Sequence, residues 1–205
     1  MFWQKKRLNY DVLIPPIVKP FDKFTKAETE AYFNWFKDQI PRRVEYLQSF
    51  SGIHLDYTVN SLEAVWGWFL SIARIEKTTA SKLKMIKNQI AALPFEIRKA
   101  VLSEQSQQFT LETEYILNDI AIYFGAVIIY NNPKISWGYH REKRLDSFAN
   151  MPILVGFEDK DFTPPFKCHF ELNFMIRGLA DRIFDGDHDR KDLLELYNKW
   201  RRLMF

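Results

Sequence analysis

The sequence predicts an α+β fold: a mostly helical single domain with a small antiparallel sheet. Apolar residues recur at helical spacing along most of the 205-residue chain, and only two segments, 135–140 and 152–157, have the pattern of strands. A chain of this length with 47% hydrophobic residues can bury one sizeable core. Three prolines within residues 1–24 disfavour a helix there, so we expect an extended N-terminal arm followed by one domain over residues 25–205.

Helix start and stop signals are clear in the first part of this domain. Thr25 is followed three residues later by Glu28, a capping box that predicts a helix from residue 26. Pro41 is tolerated in a first helical turn, so we expect a second helix to begin there and to end near Gly52, which suits a left-handed cap. Asn60, with an acidic residue three positions later, predicts the start of a third helix.

The strongest helical signal covers residues 110–130, which are apolar around nearly the whole circumference and predict the most buried element of the fold. Small residues within this helix, Gly125 among them, would let a neighbouring element approach closely. Before it, residues 77–108 predict two shorter helices exposed on one side. After it, residues 172–183 have the apolar face of a helix, and Asp189 is expected to cap the last helix.

The two predicted strands differ in pattern. Residues 135–140 alternate between larger and smaller or polar side chains, as a strand does when its faces differ. Residues 152–157 are almost continuously apolar, which predicts a strand in the centre of the sheet. The pair Pro164–Pro165 predicts a turn.

Charge and composition restrict the functional classes. The chain has 29 basic and 26 acidic residues, a net charge of +3 that is too balanced to favour nucleic acid as a partner. Its single cysteine, Cys168, excludes an internal disulfide and fits a reducing cytoplasm. The most apolar run is too short to span a bilayer, and the N-terminus lacks a signal-peptide cleavage site, so we expect a cytoplasmic protein without a membrane segment.

Signatures of catalysis and of cofactor binding are missing from the sequence. The segment that starts at Asp185 resembles a calcium loop, but Arg190 stands where the loop needs glycine and Leu196 where it needs a bidentate glutamate. No histidine has a second histidine or a cysteine at a spacing typical of metal ligands. We therefore predict neither a metal nor a cofactor.

Trp137, Tyr139, His140 and Arg141 form the segment that best matches a binding surface, because Trp, Tyr and Arg are enriched at interface hot spots. On a strand, Trp137 and Tyr139 would share one face and His140 would lie on the other. The alternative interpretation is that Trp137 and Tyr139 pack on the central helix and have a structural role.

Two sequence blocks resemble a known family. They read LDYTVNSLEAVWGWFL (Leu55–Leu70) and ETEYILNDIAIYFGAVIIYNNPKISWGY (Glu112–Tyr139), the second followed by PILVGF. The pattern is similar to that of a family of uncharacterised proteins, mostly from Gram-positive bacteria, and covers roughly residues 50 to 160. The family has no established reaction, so the resemblance assigns no catalytic residue. Small bacterial proteins of this appearance are sometimes immunity or accessory proteins of toxin loci, and the resemblance suggests this association.

The leading functional hypothesis is a non-enzymatic protein-binding module whose partner is another protein or a second copy of the chain. It is motivated by the missing catalytic signatures and by the many aromatic residues, 18 Phe, 9 Tyr and 6 Trp. One alternative is a hydrolase-type enzyme with a dispersed site, in which His140 or His188 meets a carboxylate. The other is weak nucleic-acid binding through the basic ends of the chain.

Overall fold

The computed structural model describes residues 8–140 and 148–204 and confirms the mostly helical α+β class. Within these residues the chain forms seven α-helices, five short β-strands and two 3-10 turns. The helices are α1 (Lys26–Ser51), α2 (Ser61–Ile72), α3 (Ala80–Gln89), α4 (Phe95–Glu104), α5 (Leu111–Asn131), α6 (Leu172–Asp181) and α7 (Asp192–Arg201). The strands are β1 (Ile75–Lys77), β2 (Gln107–Phe109), β3 (Ser136–Gly138), β4 (Ile153–Asp159) and β5 (Phe166–Phe170). No helix in the described residues is both long and apolar enough to cross a membrane.

Helix α5 is the centre of the core, as its composition predicts. Twelve of its residues are buried, including Asp119, and it packs mainly against α1 and α6. The Thr110 side chain accepts a hydrogen bond from the backbone N–H of Thr113 and so caps the N-terminus of the helix. Because the apolar side chains of α5 point outward around nearly its whole circumference, neighbouring elements can pack against it on several sides.

Helix α1 begins and ends as predicted but is not interrupted. Thr25 and Glu28 form the capping box, and Gly52 ends the helix in the left-handed conformation with φ of 68°. The expected second helix at Pro41 is wrong, because Pro41 lies inside one continuous helix of 26 residues. Proline removes one backbone hydrogen bond there, but buried side chains on both sides of it, Phe36 before and Leu47 after, hold the helix in the core.

Two antiparallel sheets are present in the described chain. The larger has the strand order β3-β4-β5, with the predicted apolar strand β4 in the centre. A bulge lies between Val155 and Phe157, where Gly156 has φ of 105° and packs against the backbone of Lys134. The smaller sheet is the pair β1-β2, in which Ile75 is opposite Phe109. Sequence periodicity does not predict β1, β2 or β5, because β1 and β2 have only three residues each and most side chains of the three strands are not buried.

Residues 78–106 connect β1 to β2 and form a unit that we call the α3–α4 hairpin. They confirm the two predicted short helices, which contact mainly each other. At its base, the N–H of Thr78 donates a hydrogen bond to the carbonyl of Ser106. Ile86, at 8% exposure, is the one buried apolar side chain of this segment. The two-stranded ribbon therefore attaches a largely exposed helical pair to the core.

The C-terminal helix starts later than the sequence predicts. Asp189 was expected as its N-cap, but α7 begins at Asp192, with Lys191 in the cap position. Asp189 instead accepts a hydrogen bond from the N–H of Lys191, while the Asp192 carboxylate accepts one from the N–H of Asp189. The acidic turn stabilises the chain just before the helix.

Candidate functional site

The predicted binding segment lies at the edge of the larger sheet, beside α1. The Trp137 ring meets the Phe36 ring edge to face, with 4.9 Å between centroids, and Tyr139 meets Phe33 with 5.0 Å between centroids. Both side chains are half-buried. They share a face, as expected for alternating positions of a strand, but this face packs on the core helices. The binding role of the segment stays a prediction, and Arg141 lies outside the described residues.

The histidines of the enzyme hypothesis have different surroundings. His140 lies beside His169 of β5, with 4.5 Å between ring centroids. His188 follows Asp187. The Asp187 carboxylate accepts a hydrogen bond from Arg182, and this bond lowers the pKa of Asp187. Among the described residues, no group of three or more His, Cys, Asp or Glu side chains is arranged to hold a metal ion.

A buried polar cluster joins the N-terminal arm to the core. The Arg43 guanidinium of α1 binds the Asp119 carboxylate of α5 through Nε, at 2.9 and 3.1 Å, and through Nη2. The Tyr10 hydroxyl donates a hydrogen bond to the same carboxylate, and Arg43 Nη2 also donates to the carbonyl of Asp11 at 3.0 Å. All three side chains are less than 10% exposed. The arm is thus held by residues distant from it in the sequence.

Burial and hydrogen bonding have opposite effects on the pKa values of Asp119 and Arg43. Burial raises the pKa of Asp119, and the hydrogen bonds from Arg43 and Tyr10 oppose this effect. Burial alone would lower the pKa of Arg43, but the hydrogen bonds and negative charge of Asp119 outweigh it and raise that pKa. Burial also raises the pKa of Tyr10, as does the nearby carboxylate. Because every contacting group donates to the Asp119 oxygens, the geometry fits an ionised carboxylate paired with a charged guanidinium.

A cavity of about 280 Å³ adjoins this cluster, between the arm, α1, α5 and the start of α6. Aromatic side chains form much of its wall, namely Tyr32, Trp35, Phe36 and Tyr115. Arg43 and Asp119 also line it, together with the amides of Asn118 and Asn173. An apolar cavity with a few convergent polar groups is the usual form of a small-molecule site.

Sequence reasoning did not identify this site. Its polar members come from three separate segments, and Tyr10 and Asp119 are 109 positions apart. One signal was available: Asp119 interrupts a helix that is otherwise apolar. A charge at such a position is rarely buried without a partner, so it predicts a buried cation such as Arg43.

A second candidate surface lies on the α3–α4 hairpin. A groove of about 490 Å³ is lined by the apolar side chains of Ile90, Phe95 and Leu102 and by three cations, Lys87, Arg98 and Lys99. Several large apolar side chains of the hairpin are exposed to solvent, and Phe95 is the most exposed at 65%. The hairpin has five basic and two acidic residues, so its net charge of +3 equals that of the whole chain. The residues outside the hairpin, 24 basic and 24 acidic, are formally neutral in total.

Comparisons with known proteins found no match to a protein-family profile, to a curated protein or to a solved structure. The two candidate surfaces therefore carry the functional argument.

Proposed function

We propose that this chain is a protein-binding module and that the α3–α4 hairpin is its binding surface. The occupant would be an acidic, amphipathic segment of another protein, with its apolar side chains in the groove and its carboxylates beside the surrounding cations. The observation that carries this proposal is the combination of exposed apolar groups and net positive charge on one appended unit.

The exposed apolar groups support a binding role because folding alone does not explain them. Met85 is 54% exposed, Phe95 65% and Ile97 49%, although all three belong to short helices that could have been polar on their outer faces. Large exposed apolar patches on single chains commonly mark interaction surfaces. Burying Phe95 and its neighbours against a partner would remove this unfavourable exposure to water.

Charge complementarity indicates the chemistry of the partner. Lys87 and Lys99 are exposed, and the two acidic residues of the hairpin, Glu96 and Glu104, do not line the groove. An acidic segment would therefore meet cations at the groove. The positive potential of the hairpin would also attract this segment before the two surfaces are in contact.

The concave, apolar lining distinguishes a protein segment from other anionic partners. A helix bound in a groove buries apolar side chains at helical spacing, and the apolar lining residues Ile90, Phe95 and Leu102 would offer contacts to them. Nucleic acid would present phosphates, which an apolar floor does not satisfy. A role as an immunity or accessory protein of a toxin locus is a specific case of this proposal, in which the toxin or its carrier presents the acidic segment.

Site-specific photo-crosslinking in bacterial cells tests the proposal. A photoreactive phenylalanine analogue replaces Phe95 in the full chain, and the matched control carries it at Phe162, which is exposed to a similar extent, 57%, but lies outside the hairpin. We expect a crosslink from position 95 to an acidic segment of one protein and none from position 162. The crosslinked peptide is identified by mass spectrometry.

Charge reversal provides the second arm of this test. Lys87→Glu combined with Lys99→Glu should abolish the crosslink, whereas the control pair Lys134→Glu and Lys160→Glu, also exposed, should leave it intact. Crosslinks only to lipid or nucleic acid, or equal yields from positions 95 and 162, would overturn the proposal. A crosslink that survives reversal of Lys87 and Lys99 would also contradict it, because the recognition would then not depend on charge.

A further inference from the structure

We propose that the cavity beside Arg43 and Asp119 binds a small, uncharged, planar heteroaromatic compound of the size of a free nucleobase. This site is separate from the α3–α4 hairpin, since no residue of the hairpin lines it. It therefore represents a second binding activity, which does not depend on the partner proposed above.

The shape of the ligand follows from the wall of the cavity. Tyr32 and Trp35 present rings whose centroids are 5.2 Å apart, and Tyr115 lines the same space from α5. Aromatic rings pack with one another in offset-stacked or edge-to-face arrangements and gain more from this contact than from the buried area alone, so an aromatic ligand suits this wall. A volume of about 280 Å³ is just below the usual range of small-molecule pockets, about 300–1,000 Å³, so the ligand must be small.

The charge of the ligand follows from the ion pair. Arg43 and Asp119 are the only charged side chains among the described residues that line the cavity, and each neutralises the other. An anionic ligand would compete with Asp119 for Arg43, and a cationic ligand would compete with Arg43 for Asp119. Since either competition would disrupt a buried pair, an uncharged ligand is favoured.

The polar edge of the ligand follows from the groups that remain available. Arg43 uses Nε and Nη2 for Asp119 and Asp11, so Nη1 has no acceptor within the described part of the chain. The amide of Asn118 is exposed on α5 and makes no hydrogen bond to any described residue. A ring with both acceptor and donor atoms on its edge could therefore bond to Nη1 and to the amide.

Isothermal titration calorimetry of the full chain with free adenine, hypoxanthine, cytosine and thymine tests this inference. Benzoate and phenyltrimethylammonium serve as anionic and cationic aromatic comparators. We expect at least one of the four bases to bind with a Kd below about 1 mM, and both charged compounds to bind at least tenfold more weakly.

Variants locate the binding to the cavity. Asn118→Ala and Trp35→Leu should each weaken the affinity for the best base by tenfold or more. Asn34→Ala is the matched control, because Asn34 is also an exposed helical asparagine but does not line the cavity. Circular dichroism confirms that each variant is folded. The inference is overturned if no base binds, if a charged comparator binds as well as the best base, or if Asn118→Ala and Trp35→Leu both leave the affinity unchanged.

Discussion

Trp137 of β3 lies directly against Gly125 of α5. A Cβ atom built on Gly125 would be 2.5 Å from Cζ2 of Trp137 and 2.7 Å from Cδ1 of Leu172, which is closer than real Cβ atoms approach other heavy atoms. The absence of a side chain at Gly125 thus allows both β3 and α6 to pack on the central helix. The expectation that a small residue in this helix admits a close neighbour is confirmed at this position.

We expect Gly125→Ala to lower the free energy of unfolding by about 1–3 kcal/mol through overpacking, and Gly125→Leu to lower it further. Urea unfolding followed by circular dichroism measures this change. Gly178→Ala on α6 is the control, because nothing lies within 4 Å of a Cβ atom built there, and it should stabilise the protein by about 0.5–1 kcal/mol. Equal effects of the two alanine substitutions would contradict the packing described for Gly125 and Trp137.

The buried ion pair predicts a strongly asymmetric mutational response. Asp119→Asn leaves the Arg43 guanidinium buried without a counter-charge, so we expect a loss of about 3–5 kcal/mol in the free energy of unfolding. Combining Arg43→Met with Asp119→Leu should cost much less than the sum of the single changes, because no unpaired charge remains. Asp38→Asn, at an exposed position of α1, is the control and should change stability by less than about 0.5 kcal/mol.

Glu28 predicts a specific loss of stability in acid. The hydrogen bond donated by Lys19, at 2.6 Å, and the one donated by the backbone N–H of Thr25, at 2.7 Å, lower the pKa of Glu28 from 4.5 to about 2. Because the folded state has the lower pKa, the stabilisation by this carboxylate is complete above about pH 4.5 and disappears as the pH falls through about 2. The free energy of unfolding of Glu28→Gln should depend less on pH across this window than that of the unsubstituted chain. Glu45→Gln, exposed on the same helix, should retain the original pH profile.

The α3–α4 hairpin should be removable without loss of the core. Replacing residues 79–105 with Asn-Gly would join Thr78 to Ser106 through a two-residue turn of the type that suits antiparallel strands. We expect cooperative thermal unfolding and a melting temperature within a few degrees of the original, because α3 and α4 contact mainly each other. Loss of the cooperative transition would show instead that the hairpin belongs to the core.

The elements that the sequence predicts are those in which one local signal dominates. Thr25 and Glu28 are only three positions apart, and residues 110–130 have an apolar pattern that tertiary packing does not contradict. The features that the sequence does not predict depend on contacts between residues that are far apart in the sequence. Pro41 remains helical because the two halves of α1 are buried, and β5 exists because β4 offers it a partner.

The candidate site illustrates the same limit. Trp137 and Tyr139 stand out in the sequence because of their residue types, yet both rings contact α1. The cavity takes its polar groups from Arg43, Asn118 and Asp119, which are ordinary residues until the fold brings them together. Residue type alone thus pointed to Trp137 and Tyr139 as a binding surface but did not decide between binding and packing, and the convergence of the polar groups is visible only in the structure.

The hydrogen bond from Tyr10 to Asp119 has a consequence for synthesis of the chain. Ribosomes elongate at about 5–20 residues per second, so roughly 5 to 20 seconds separate the appearance of these two residues. During that interval α1 has been made, but its main packing partner α5 has not, and Phe36 and Leu47 remain without their final contacts. The hydrogen bond from Tyr10 to Asp119 can therefore form only after α5 has been synthesised, whereas the contact of Asp11 with Tyr46 needs only α1.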